Sequence, residues 1–157
     1  MEKKMSVENV KNYLKRFGKE TRVIELEESS ATVELAANAL GCEPAHIAKT
    51  ISFLTKNGPV LIVAPGDRKI DNKKYKECFG EKASMVPWEQ VEGLIGHAPG
   101  GVCPFAIKEG VRVFLDQSLL QYEWIYPAAG SCSSCVKLTP AELAVCTEQT
   151  EWKDLTK

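Results

Sequence analysis

Histidine is nearly absent: the chain of 157 residues has His46 and His97 and no others. No Ser-His-Asp set can be picked out around either, which argues against a hydrolytic triad. A surplus of positive charge is missing too, because 20 Lys and Arg stand against 21 Asp and Glu for a formal net charge of -1. That balance excludes a protein that coats nucleic acid nonspecifically, since such binding needs an excess of cations over the phosphates' neighbourhood. No window approaches the roughly eighteen consecutive apolar residues of a membrane span, and "MEKKMSVENV" has no apolar run after its lysines. Export and membrane insertion are therefore not expected, and the cytoplasm is the default location. Neither a phosphate loop nor a dinucleotide fingerprint is present, and there is no repeat or low-complexity segment.

Closely spaced cysteines are scarce. Of six, just Cys132 and Cys135 lie near one another, in "CSSC". A redox pair of that spacing is activated at a helix N-terminus, whereas Cys135 leads into the extended "VKL". A structural zinc would need two further ligands, and Cys42, Cys78, Cys103 and Cys146 are scattered without paired spacing. Free thiols, no metal and no cofactor are expected, with a thiol or zinc protein kept as the weaker alternative.

Ordinary globular material makes up the rest. Hydrophobic residues are 44% and charged residues 26% of a chain long enough to bury one core, so residues 1–157 should form a single domain. Periodicity predicts a helix over residues 7–17 capped by Ser6, a strand in "TRVIEL", and a helix capped by Ser30 or Thr32 with Val33, Ala36, Ala37 and Leu40 inward. Pro44 opens a short helical turn. "KTISFLTKNGPVLIVA" reads as a hairpin about an Asn57-Gly58 turn. Asp71 caps a helix to Phe79, and a strand over residues 83–86 leads to a helix opened by Pro87 that carries Trp88, Val91 and Leu94 inward. "VRVFLD" and residues 124–127 are further strands, and Thr139-Pro140-Ala141-Glu142 is a capping box before a last helix. The hairpin demands antiparallel pairing among interleaved helices and strands, so the sheet must be mixed.

Lys49 stands out where the short helical turn becomes a strand. If Ile51 and Phe53 face the core, alternation sends Lys49 to the same side, and an ammonium directed there suits the base of a pocket. Snorkelling to water at the strand's start is the bland alternative. The loop "GHAPGGVCPF" holds more glycine than a connection requires. Gly100 and Gly101 let backbone N–H groups converge on one point, an anion or oxyanion site, although loop statistics alone favour a plain turn. "YPAAGS" supplies Gly130 and Ser131 to the same cavity, or merely ends a strand. His46, three residues before Lys49, either meets the substrate or is solvated at a helix end. Arg68, Lys69, Lys73, Lys74 and Lys76 form a basic face that either meets phosphates of a partner or is simply solvated.

Taken in order, "TVELAANALG" ahead of "HIAKTI", "LIVAPGDRKIDNKKYKECFG", "GHAPGGVCPF", "FLDQSLL" and "YPAAGS" resemble the YbaK and prolyl-tRNA synthetase associated domain family of trans-acting aminoacyl-tRNA editing deacylases. The resemblance spans residues 7–146. It implies an α+β single domain with a mixed, mostly antiparallel barrel-like sheet flanked by helices, acting on the ester that joins a wrong amino acid to tRNA. It places the residue needed for activity on Lys49, with Thr50 beside it, the glycine-rich loop on Gly100, Gly101, Val102 and Pro104, and the small-residue strand end on Gly130 and Ser131. The implied partners are aminoacyl-tRNA and, to present it, prolyl-tRNA synthetase; DNA and membranes are not expected. A non-catalytic tRNA- or synthetase-binding module is the alternative. Gly101→Val is expected to abolish turnover and leave thermal stability mostly unchanged.

Overall fold

The apolar run of "GPVLIVAP" becomes the centre of the molecule, in a computed structural model that describes residues 2–27, 29–30, 32–147 and 150–157, the segment 2–6 as backbone only. β3 (Gly58–Pro65) buries every side chain from Val60 to Ala64. A strand covered on both faces reads as continuous hydrophobic sequence, and here both faces are covered. β2 (Ile47–Thr55) pairs antiparallel with β3, from Ala48 opposite Pro65 to Thr55 opposite Gly58. The turn residues are therefore Lys56 and Asn57, one position ahead of the expected Asn57-Gly58. Gly58 takes the backbone conformation that only glycine adopts freely, at φ +111°, and Thr55 Oγ1 accepts the Asn57 N–H at 3.2 Å.

Around this hairpin the strand order is β5-β2-β3-β4-β7. β4 (Arg112–Asp116) lies beside β3, β7 (Thr150–Lys153) beside β4, and β5 (Tyr126–Pro127) beside β2, all parallel. β1 (Val23–Glu25) and β6 (Ser134–Val136) form an antiparallel pair joined to the β5 edge by the bridges Ala128↔Cys135 and Ile125↔Leu138. The result is a mixed half-barrel flanked by helices, as expected. The antiparallel majority does not hold within the five-stranded sheet, where the hairpin is the antiparallel junction and the other three are parallel. Helical crossovers cause this: the chain leaves β3, passes through α3 (Asn72–Phe79) and α4 (Val91–Ile95), and re-enters at β4 in the same direction.

α1 (Glu2–Lys15) buries Val7 and lays Val10 and Leu14 on the main core. It begins at Glu2, so Ser6 sits inside the helix instead of capping it. Between the two expected caps of α2 (Val33–Leu40), Thr32 serves, accepting the Leu35 N–H at 3.1 Å. Asp71 caps α3 through the N–H groups of Lys73 and Lys74, and Thr139 with Glu142 forms the capping box of α5 (Pro140–Cys146). Residues 83–86 make just one bridge, Phe53↔Met85, in place of the expected strand. The helix after Pro87 opens with a 3-10 turn over Trp88–Gln90. That tighter winding shifts the phase, so Val91 is buried as expected while Trp88 is 73% exposed instead of turned inward.

Alternate residues of the hairpin serve two cores. Ala48, Leu61 and Val63 enter the main core with α1, α4 and α5. Phe53, Val60 and Ile62 enter a smaller one under α3, with Tyr75, Phe114 and Leu155. The C-terminal residues are fastened by Asp116, 1% exposed, whose carboxylate accepts from Leu155 N–H at 2.7 Å, Thr156 Oγ1 at 2.9 Å and Ser118 N–H at 3.1 Å. Arg68 Nε donates to the same Thr156 hydroxyl at 2.8 Å, which ties the loop after β3 to the chain end.

Candidate active site

Lys49 lies opposite Ala64 in the hairpin register and, as expected, on the face of Ile51 and Phe53. That face is the smaller core, which ends one pair short of Lys49. The side chain therefore runs past the edge, half-buried, and its ammonium donates to the carbonyls of Gly66, at 3.3 Å, and Arg68. An ammonium has three N–H bonds, so two carbonyls fix its direction and leave one donor over. Burial pushes its pKa below the ordinary lysine value, while the carboxylates of Asp67 and Glu34 pull the other way and Lys69 adds to the lowering.

Gly66, which sequence reasoning passed over, makes this arrangement possible. A Cβ there would sit 2.3 Å from the Pro44 carbonyl oxygen and 2.6 Å from Val33 Cγ1. Its N–H donates to Ile47 O at 2.7 Å, so the backbone of the loop lies directly against the helical turn that precedes Lys49. The Pro-Gly pair directly after a buried strand was the available signal.

Thr50, next in the strand, faces the other way. Its Oγ1 is buried and has no hydrogen-bond partner among the described residues. Lys49 and Thr50 both line a cavity of about 520 Å³, a size typical of small-ligand sites. Pro99, Gly100 and Val102 contribute another part of its wall, so the lysine and the glycine loop do share one cavity.

The loop over residues 96–105 is held by its own side chains. His97, 1% exposed, places Nε2 2.6 Å from Phe105 O, and the Cys103 thiol donates to the same carbonyl at 3.7 Å. Burial lowers the His97 pKa, which keeps the ring neutral at pH 7, and pushes the Cys103 thiol up to about 12. Both residues are fasteners. Gly101 donates its N–H to Ala98 O at 3.0 Å, closing a turn inside the loop. Its Cα faces Ser131, and a Cβ would lie 2.7 Å from Ser131 Cα. The loop and the "YPAAGS" strand end are thus in backbone contact. Ser131 itself is buried, with Oγ 2.7 Å from Ser134 Oγ, and Gly130 and Pro104 are buried too. Gly101 and Ser131 meet behind the cavity wall, whereas Gly100 and Val102 are on its surface.

His46 is turned aside. Its Nδ1 is 3.2 Å from Trp124 O and its ring packs on Tyr122 at 4.9 Å between centroids. The basic residues divide similarly. Arg68 is tied to Thr156, and Lys74 donates to Asp154 at 2.9 Å and to Thr156 O at 2.8 Å, while Lys69, Lys73 and Lys76 are exposed.

Cys135 lies on β6 and lines the cavity with its thiol pushed up to about 11 by burial. That is the reverse of an activated thiol. No group of three or more His, Cys, Asp or Glu among the described residues stands together as a metal site. Serine at positions 132 and 135 together is expected to leave catalytic turnover close to native in a rate assay; a large loss would reinstate the thiol reading.

Lys49 and the glycine loop of the half-barrel thus line one cavity. The chain belongs to the aminoacyl-tRNA editing domain family, whose sequence profile matches residues 27–146. It is 43% identical over 154 residues, 98% of both chains, to the uncharacterized protein YwhH of Bacillus subtilis. It is 31% identical over 115 residues, 72% of this chain and 70% of the other, to a candidate Cys-tRNA(Pro)/Cys-tRNA(Cys) deacylase, EbsC, of Enterococcus faecalis. The crystal structure of a candidate trans-editing enzyme for prolyl tRNA synthetase superposes with a TM-score of 0.88 at 30% identity, covering 97% of each chain. The family resemblance drawn from the motifs is thereby established. Among the described residues no helix is long and apolar enough to cross a membrane.

Proposed function

We propose that this protein hydrolyses the ester of misacylated tRNA in trans, with tRNA-Pro as the substrate its relatives suggest and a prolyl-tRNA synthetase as the partner that presents it. The observation that carries the reading is Lys49, its ammonium held by the Gly66 and Arg68 carbonyls, on the wall of a cavity that Gly100 and Val102 also line. Water adds to the ester carbonyl, the bond from that carbon to the ribose oxygen breaks, and the ribose oxygen takes the proton. Negative charge develops on the carbonyl oxygen on the way. The remaining Lys49 donor and the Gly100 amide are the groups suited to hold it, worth on the order of a hundredfold or more in rate. Gly101 is excluded as a donor because its N–H already serves Ala98. Thr50 lines the same cavity, its Oγ1 buried and without a hydrogen-bond partner among the described residues; Gly130 and Ser131 keep the wall in place.

The test is release of amino acid from tRNA carrying a panel of residues. Rapid release from one misacylated species supports the deacylase; binding with no release establishes the non-catalytic module instead.

The lowered Lys49 pKa gives a second check. The enzyme-dependent rate, after subtraction of spontaneous ester hydrolysis, is expected to fall on the alkaline side with an inflection below the ordinary lysine value, and Lys49 Nζ is expected to titrate below that value by 15N NMR. Folded Lys49 holds its proton less tightly than the unfolded chain does, so between the two pKa values the unfolded state binds more protons and this residue's contribution to stability rises with pH. Activity and that contribution move in opposite directions. A rate that falls only together with unfolding would remove Lys49 charge as the cause.

A further inference from the structure

Trp88 lines the mouth of the cavity and is 73% exposed, next to Met85 at 64%. Both stand on a segment fixed along the outer edge of β2, where Leu54 N–H donates to Ser84 O at 2.8 Å and Val86 N–H to Ser52 O at 3.1 Å. The same segment begins at Lys82, which with Lys73 and Lys76 surrounds a second depression below the N-terminal half of α3. From Lys82 to Trp88 an extended chain covers about 20 Å at roughly 3.3 Å per residue. The ridge therefore carries Lys82 at one end, with Lys73 and Lys76 of α3 across the depression, and an upright indole at the other end, which opens on the cavity. The neighbouring acid Glu81 is engaged with the Lys56 N–H at 3.2 Å.

Single-stranded nucleic acid is held by this combination, cations that track the phosphates and an aromatic face on which a base stacks. We propose that the ridge from Lys82 to Trp88 seats the single-stranded 3′ end of the tRNA, with the terminal base stacked on Trp88 and the preceding phosphates on Lys73, Lys76 and Lys82. The assignment rests on the deacylase reading, because the ester in the cavity is what brings the terminal ribose to the indole. It also gives the exposure of Trp88 a purpose that a core position would not have.

The test uses the full chain, uncharged tRNA-Pro and the same tRNA trimmed of its terminal adenosine, with dissociation constants read by fluorescence anisotropy at several salt concentrations. Trimming is expected to weaken native binding about tenfold, and Trp88→Ala to weaken binding of intact tRNA about tenfold while becoming indifferent to trimming. Trp88→Phe, which keeps a stacking face, should stay near native. Lys76→Glu with Lys82→Glu should weaken both RNAs alike and flatten the salt dependence. In deacylation the alanine variant should raise KM with kcat nearly kept. Native affinities for both RNAs and a native KM in Trp88→Ala would overturn the assignment. Trp88-dependent tRNA binding without any amino-acid release would overturn the deacylase reading and leave the ridge standing.

Discussion

Gly101→Ala is expected to abolish most turnover and to lower the melting temperature by several degrees. The added Cβ would lie 2.7 Å from Ser131 Cα and 2.9 Å from both its carbonyl carbon and its nitrogen. Ordinary carbon contacts begin at about 3.5 Å, so the loop and the strand end must part by nearly 1 Å. Neither side yields alone. Ser131 is bound twice to Ser134 Oγ, through its N–H at 3.2 Å and its own hydroxyl at 2.7 Å, and the loop is clamped by His97 on Phe105. Overpacking of this kind costs about 1–3 kcal/mol, which for a chain of this size is roughly 3–10 °C. The same displacement moves Gly100 and Val102 at the cavity wall, and a misplacement of about 1 Å is worth on the order of a hundredfold in rate. Thermal unfolding and deacylation of the one variant check both halves. Native values in both would show that the loop and strand end are free to separate.

That expectation departs from what the motif alone suggested, a loss of turnover with stability intact, and the reason is general to this fold. Signals confined to a few neighbouring residues were readable: the Thr139-Glu142 capping box, the Asp71 cap, the strand "VRVFLD" and the Lys49 alternation all follow from one turn or one pleat. Contacts between distant segments were not. Nothing near Gly101 announces that Ser131 will lie against it, and nothing near Lys49 announces the Gly66 and Arg68 carbonyls. The parallel pairings of β4, β5 and β7 depend on helical crossovers whose direction no local pattern encodes. Trp88 was misplaced because a 3-10 turn replaces the first turn of helix, and apolar spacing cannot distinguish the two at three residues' length.

The site shows the same division. Composition and spacing brought Lys49, the glycine loop and the strand end to attention as separate candidates, and the family resemblance joined them. The structure adds rank among them: Gly100 and Val102 reach the cavity, while Gly101 and Ser131 meet behind it. His46, three residues from Lys49, is drawn to Trp124 and Tyr122 because the helical turn ends at His46 and the strand begins at the next residue. Helical spacing no longer applies across that junction.

Lys49→Ala carries the largest expected effect on rate, a loss of at least about a hundredfold in kcat/KM, with folding retained. Two opposing changes act on stability. The variant strands the Gly66 and Arg68 carbonyls, and it also relieves the burial that depresses the lysine pKa. The carbonyls sit in a loop that is partly exposed, so water replaces the lost donor, and the melting temperature is expected to change by no more than about 4 °C. Lys49→Arg separates charge from position. A planar guanidinium keeps the charge but cannot place one compact donor between two carbonyls and still direct a third N–H at the substrate, so it is expected to restore little of the rate. Binding of uncharged tRNA should survive in both variants, since the phosphates and the terminal base rest on other residues. Deacylation by the alanine variant at the native rate would remove Lys49 from the chemistry; full recovery with arginine would reduce its part to that of a general positive charge.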